Sequence, residues 1–262
     1  MESSKKNLRY VIGGLMVLAV VLVGWEYAVR AGLVSTLALP LPSKVLIAIA
    51  QGVSTKTFLT NWLGTLATWL SSLICGLVIG LLLGFVSGAY RGIYLALLPL
   101  LSFLRSIPPI AMFPVALVAI GPGKLSVGLV ATLGAALYVF PWTAEAAKEA
   151  ADRFSQLAII LGAGRGQFLR VFVAPGAALH AVASSRVAAT YAFAVCVAGE
   201  MIIGGRTGVG AAILDLSERY RLEEAYSYVL CTGLVGLLID SAFSRIGKMR
   251  RISGNRKSII YQ

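Results

Sequence analysis

The chain has 262 residues, of which 58% are hydrophobic and 13% charged, whereas an ordinary soluble domain carries about 25% charged residues. So apolar a chain lacks the polar surface to cover a soluble fold, and its composition is the opposite of a disordered one. The net charge of +12 does not point to nucleic acid: the basic residues do not interleave with aromatics on one polar face but punctuate long apolar runs, as positive charge retained beside membrane-crossing helices does.

A membrane-spanning helix needs about 20 predominantly apolar residues, and six stretches qualify. The first is Tyr10–Val29, after the basic start Lys5, Lys6 and Arg9. Its apolar part is longer than a signal-peptide core and no small-x-small cleavage site follows, so it is expected to stay as a helix. The second lies in the charge-free run Thr57–Tyr90. The third follows Arg91 and reaches about Ile120, interrupted by Arg105 and by Pro108-Pro109. The fourth is Leu125–Ala144, the fifth Ala177–Ile203 with Arg186 and Glu200 inside it, and the sixth Tyr226–Ile246 with Asp240 inside it. The runs are continuous rather than alternating, which excludes barrel strands. The expectation is an all-α integral membrane protein with six transmembrane helices. It reads as a single transmembrane domain: an N-terminal span and outer loop over 1–60, a core over 61–247 and a basic tail over 248–262.

Charge counting sets the orientation. With the N-terminus inside, the inner segments hold 15 Lys and Arg and the outer ones 7, which places both termini in the cytoplasm. Glu26, flanked by Trp25 and Tyr27, then falls at the outer surface. Cys75, Cys196 and Cys231 lie in apolar stretches and read as small packing residues.

No enzyme site is visible. His180 is the single histidine and makes neither a metal cluster nor a triad; it reads as an interfacial polar group. Gly121-Pro122-Gly123-Lys124 lacks the leading Gly and the trailing Ser/Thr of a phosphate-binding loop. The Gly-rich run from Gly204 to Gly210 does not follow a strand and reads as a tight turn ending the fifth helix.

The segment Lys148–Pro175 carries the strongest signal. Gln156-Leu157-Ala158, three residues, Gly162, nine residues, Phe172, one residue, Ala174-Pro175 reads as a short helix over Gln156–Leu161, stopped at Gly162 by a left-handed turn. A second helical piece runs over Arg165–Val173, and Pro175 opens the next span. Elsewhere, two prolines at 108 and 109 break the third span, and broken backbone survives in a membrane only when buried in protein or lining a cavity. Arg105 falls about 20 Å into that span at ~1.5 Å per residue. A charge at that depth is a functional group by default or half of an ion pair with Glu200 or Asp240.

In order along the chain, Leu39-Pro40-Leu41-Pro42-Ser43, Arg105-Ser106-Ile107-Pro108-Pro109, Phe140-Pro141, the Gly162 segment, and Ala198-Gly199-Glu200-Met201 followed by Thr207-Gly208-Val209-Gly210 resemble the permease subunits of binding-protein-dependent ABC importers. The likeness is to their nitrate, sulfonate, taurine and bicarbonate branch and covers roughly Leu39 to Ile246. The resemblance implies a type I importer permease fold in a bacterial inner membrane. It implies a cytoplasmic coupling helix between the fourth and fifth spans, here Gln156, Leu157, Ala158, Leu161, Gly162, Ala163 and Arg165, that docks on an ATPase. It implies partners: a second permease copy or paired permease, two cytosolic ABC ATPases and an extracytoplasmic substrate-binding protein. No cofactor is expected on this chain, ATP and Mg belonging to the ATPase. Arg105, Ile107, Pro108, Pro109 and Glu200 are the expected pathway residues for a small, anionic solute such as a sulfonate, nitrate or taurine. An ion-coupled secondary transporter is the alternative, resting on Glu200 and Asp240, though no inverted repeat is visible.

Overall fold

The computed structural model describes residues 2–205 and 207–259. Arg206 and the side chain of His180 lie outside the described residues, as do the side chains of the basic tail from 246 onward. Among the described residues there are helices and no strands. In chain order they are α1 (Glu2–Arg30), α2 (Pro42–Gly52), α3 (Lys56–Ala89), α4 (Arg91–Ser106), α5 (Pro109–Ile120), α6 (Lys124–Ile160), α7 (Arg165–Phe168), α8 (Ala174–Ile203), α9 (Val209–Glu218) and α10 (Leu222–Ile259).

Five of these contain stretches long and apolar enough to cross a membrane: Ile12–Arg30, Lys56–Ala89, Lys124–Ile160, Ala183–Ile203 and Leu222–Arg245. Helices α4 and α5 together form a sixth apolar stretch, bent by 91° at the break between them. The six expected spans are therefore all helical, but three boundaries differ from the expectation. Helix α6 does not end near Ala144. It runs unbroken to Ile160, 37 residues in all, so Gln156–Ile160 is its last turn rather than a separate short helix. The change from apolar to charged sequence after Ala144 marks where the helix changes surroundings, not where it stops. The piece after Gly162 is likewise not separate: α7 runs through a π-helical turn, Leu169–Val173, directly into α8, so Pro175 does not open a new helix but lies inside a continuous helical run, from which its missing N–H removes one hydrogen bond. Helix α10 begins four residues earlier than expected and continues past Ile246.

The chain groups into two compact units. One comprises the described residues up to Thr60 together with Ala212–Thr232; the other comprises Asn61–Ala211 and the described residues from Gly233. In the first, Glu26 has a more definite role than a surface acid. Its carboxylate accepts hydrogen bonds from the Ser43 backbone N–H (3.1 Å) and hydroxyl (2.9 Å) and from Arg30 (2.8 Å). A negative charge there satisfies the Ser43 N–H, one of the free amides at the start of α2. Lys44 pairs with Glu223 at 3.1 Å, and Trp25 and Phe58 lie against Tyr226 and Tyr228.

In the second unit α6 and α8 are the most buried spans. Phe113 of α5 is fully buried with Val127, Val130, Ala131, Val195, Cys196 and Ile203. Burial of apolar area drives nothing between helices in lipid, so close packing must hold them. Here α3 supplies a stripe of Gly76, Gly80, Gly84 and Gly88. A methyl group at Gly80 or Gly84 would stand 2.8 or 2.7 Å from the carbonyl oxygen of Ala136 or Phe140, and one at Gly88 would collide with that of Ala144. The backbone of α3 thus lies directly on α6, a close approach that only small residues allow. Gly84→Ala is expected to destabilise the protein by about 1–3 kcal/mol through overpacking, lowering the melting temperature of the detergent-purified chain. Gly92→Ala, with open space around it, should leave that temperature unchanged.

Candidate functional site

Three places where a helix is interrupted bring together the residues singled out in the sequence. The first is the elbow after α6. Gly162 has φ +63°, the left-handed region that disfavours any residue with a Cβ. It lets two hydrogen bonds fold back on the helix end: Ala163 N–H to Ala158 C=O at 2.9 Å and Gly162 N–H to Ile159 C=O at 3.0 Å. This is the paired closure of a Schellman stop. Two residues on, Gly164 is extended at φ −66°, ψ 159°, and its N–H donates to the Gln167 side chain at 3.2 Å. The returning chain is fixed by aromatic packing: Phe172 lies 5.7 Å from Phe154 and 6.2 Å from Phe168 between ring centroids, over a core of Ala147, Ala150, Val173 and Ala177. The π-helical turn accommodates this packing by adding a residue to the turn that carries Phe172 and Val173. At the tip the side chains of Ile159, Ile160 and Leu161 are 78%, 79% and 63% exposed, beyond a helical stretch bearing Lys148, Glu149, Asp152 and Arg153.

The second interruption is the break between α4 and α5. A residue before proline is pushed out of the helical region, and here two such residues follow one another. Ile107 is extended (ψ 117°) because Pro108 follows, and Pro108 is extended (ψ 130°) because Pro109 follows. Pro109 then begins α5 as a proline in a first turn does. Arg105 lies exposed in the last turn of α4. Among the described residues no acid pairs with it.

The third is the turn after α8. Glu200 is 3% exposed, and its carboxylate accepts the Thr65 hydroxyl (2.7 Å) and the Gly210 N–H (3.0 Å). The same Thr65 oxygen accepts from the Val209 N–H at 2.8 Å, and Asn61 Oδ1 accepts from the Gly208 N–H at 3.2 Å. The buried charge therefore faces the free N–H groups at the start of α9, where a carboxylate is favoured. Asp240 is bound elsewhere: the Arg186 guanidinium grips it through two hydrogen bonds of 2.6 Å. Neither acid pairs with Arg105, so the ion pair that the sequence left open is not formed. Glu200 caps the start of α9, and both acids on which an ion-coupled carrier would rest already have partners. Thr65 and Asn61, which hold this turn, were not singled out in the sequence, because they lie more than a hundred residues from it. The glycine stripe was not singled out either, although its spacing of four stands in the sequence as a signal that could have found it.

The model of the binding-protein-dependent transport system inner membrane component family matches residues 76–249. The chain is similar to the bicarbonate transport system permease protein CmpB of Synechococcus elongatus, 28% identical over 142 residues, which cover 54% of this chain and 51% of that protein. It thus spans about half the length of the bicarbonate permease proteins it matches. It is also similar to the riboflavin transport system permease protein RibX of Chloroflexus aurantiacus, 33% identical over 202 residues, covering 77% of this chain and 75% of that protein. Among solved structures it resembles a chain of the MetNI methionine ABC transporter in inward-facing conformations, with a TM-score of 0.62 at 22% identity, covering 74% of this chain and 95% of that one; this likeness is one of fold.

The geometry around Glu200 makes a direct prediction. Glu200→Ala strands the Gly210 N–H in a buried place and leaves the Thr65 hydroxyl only the longer bond to the Asn61 carbonyl (3.3 Å), and is expected to destabilise by about 1–3 kcal/mol, seen as a lowered melting temperature. Adding Arg105→Ala should not restore it, the two effects summing to within about 0.5 kcal/mol as separate sites do.

Proposed function

The chain belongs to the binding-protein-dependent transport system inner membrane component family, and from that premise we propose that it is the membrane-spanning subunit of an ABC importer for a small anionic solute. Two permease subunits, as a homodimer or a related pair, enclose the pathway. Two cytosolic ATPases bind and hydrolyse ATP, and a binding protein delivers solute from outside. Both termini and the elbow face the cytoplasm, in line with the excess of Lys and Arg on that side.

The observation that carries this reading is the elbow. Ile159, Ile160 and Leu161 are bare at the end of a helix whose preceding turns are charged, so the tip stands in water rather than lipid. An exposed apolar group in water marks a protein contact. Helix α6 is about 55 Å long at ~1.5 Å per residue and is continuous from this tip to Lys124. ATP-driven closure of two ATPases draws the two elbows together, and the rigid α6–α8 body carries the motion into the membrane, rocking the pathway from inward-open to outward-open. Solute meets the break at Ile107-Pro108-Pro109, where Arg105 offers an unpaired planar fork suited to a carboxylate, sulfonate or nitrate.

Gly162→Val forces a β-branched side chain into the left-handed region, where even an unbranched one costs about 1–2 kcal/mol. It is expected to unlock the Schellman stop and weaken co-purification of the ATPase while the spans stay inserted. Gly164→Val, in extended backbone, should retain it. Equal ATPase recovery from the two variants would contradict the docking role. At the break, Arg105→Ala is expected to lower solute uptake by about tenfold or more, the effect of losing a charge-assisted bidentate contact, with basal ATPase activity and assembly retained. Arg105→Lys should fall between the two in proteoliposome uptake assays.

A further inference from the structure

The first turn of α4 is held by contacts that coupling through α6 alone does not require. Tyr90, the extended residue just before α4, has the Arg165 guanidinium 4.9 Å from its ring centroid, and Arg165 is the first residue of α7, on the returning limb of the elbow. One turn further, the Tyr94 hydroxyl donates to Glu145 Oε2 at 2.9 Å. Lys148 stands 5.4 Å from the centroid of the same ring and 3.3 Å from Glu145 Oε1. Glu145 and Lys148 belong to α6, the descending limb. The base of α4 is thus tied to both limbs of the elbow through two tyrosines on one helix face, four residues apart.

The rest of α4 is held differently. None of its residues is buried, so it has no packed face that fixes its direction independently. At its far end two prolines remove the hydrogen bonds that would stiffen the connection to α5, while α5 itself is anchored by the fully buried Phe113. A helix gripped at one end and joined through a break to an anchored neighbour at the other is a lever on a hinge, and element-terminal residues are where such hinges absorb a change of angle.

We propose that Tyr90 and Tyr94 are positioning residues that transmit movement of the elbow to the Pro-Pro break, so that α4 tilts about Ile107–Pro108 when the ATPases close. This rests on the coupling role of the elbow and adds a second route to it, along α4 and not only along α6. Arg165 stacks on a ring face and needs only the ring, whereas Glu145 needs the Tyr94 hydroxyl. The two contacts therefore respond to different substitutions.

The test uses the chain purified with its ATPase in nanodiscs, with the three native cysteines replaced and a single cysteine placed at Ile110, an exposed position in the first turn after the break. The rate of maleimide labelling is measured with and without MgATP and vanadate, which trap the ATPases closed. In the parent background trapping is expected to change the rate by about tenfold, within the usual range of coupling between two sites. Tyr94→Phe and Tyr90→Leu should each reduce that change to about threefold or less while the ATPase still co-purifies; Tyr90→Phe, which keeps the ring, should restore it. Tyrosines that merely brace the fold would lower the melting temperature and leave the labelling response intact, and an undiminished response in Tyr94→Phe and Tyr90→Leu would overturn the proposal. Loss of the ATPase from Tyr94→Phe, which removes a single hydroxyl, would assign that tyrosine to docking and overturn it too. A parent complex that holds no ATPase would instead overturn the coupling role on which the proposal rests.

Discussion

A backbone N–H or C=O buried without a partner costs several kcal/mol, and the interruptions at Gly162, after α8 and between α4 and α5 each satisfy their backbone groups in their own way. At Gly162 the last carbonyls of α6 are closed by the amides of Gly162 and Ala163. After α8 the first amides of α9 are taken up by Glu200 and by Thr65, whose hydroxyl also donates to the same carboxylate. Between α4 and α5 the two residues most in need of partners are prolines and have no N–H to satisfy, and Pro108 lends its carbonyl to Ala111 N–H at 2.9 Å. One constraint is met by backbone, by a buried charge, and by removing the donor.

These solutions differ in stiffness. The Glu200 turn is buried, charged and tied to α3 through Thr65 and Asn61, so deforming it breaks several strong hydrogen bonds together. The α3–α6 contact is as rigid, since glycines there let backbone rest on backbone with no side chain to rearrange. The Pro-Pro break has neither kind of support, and the elbow tip is exposed. The second unit therefore combines a fixed body, formed by α6, α8 and the packed part of α3, with one place where movement is inexpensive, the Pro-Pro break. Under the proposed function, that combination suits a device that receives force at the elbow and changes access to a pathway.

Much of this was legible in the sequence wherever the controlling physics is local. Spans show because a lipid-crossing helix must be apolar for about 20 residues; the break shows because proline acts on its own neighbours; and the stop at Gly162 follows from a glycine at the end of a helical run. The full length of α6 was not legible, because polarity reports what surrounds a helix and the charged residues from Glu145 to Arg153 are good helix formers in water. The π-helical turn at Leu169–Val173 has no spacing in the sequence that announces it. The partner of Glu200 was hidden for a different reason: Thr65 lies 135 residues away, and the remaining donors are backbone amides, which have no signature. The same holds for Arg186 and Asp240, 54 residues apart.

The central claim is that force entering at the elbow is expressed at the Pro-Pro break while the Glu200 turn stays fixed. Hydrogen–deuterium exchange on the complex with its ATPase, compared with and without MgATP and vanadate, tests it most directly, since exchange reads local opening of individual segments. The account predicts that trapping alters exchange at 161–168 and at 104–112 and leaves 207–213 unchanged. Altered exchange at 207–213 with 104–112 unaffected would contradict it.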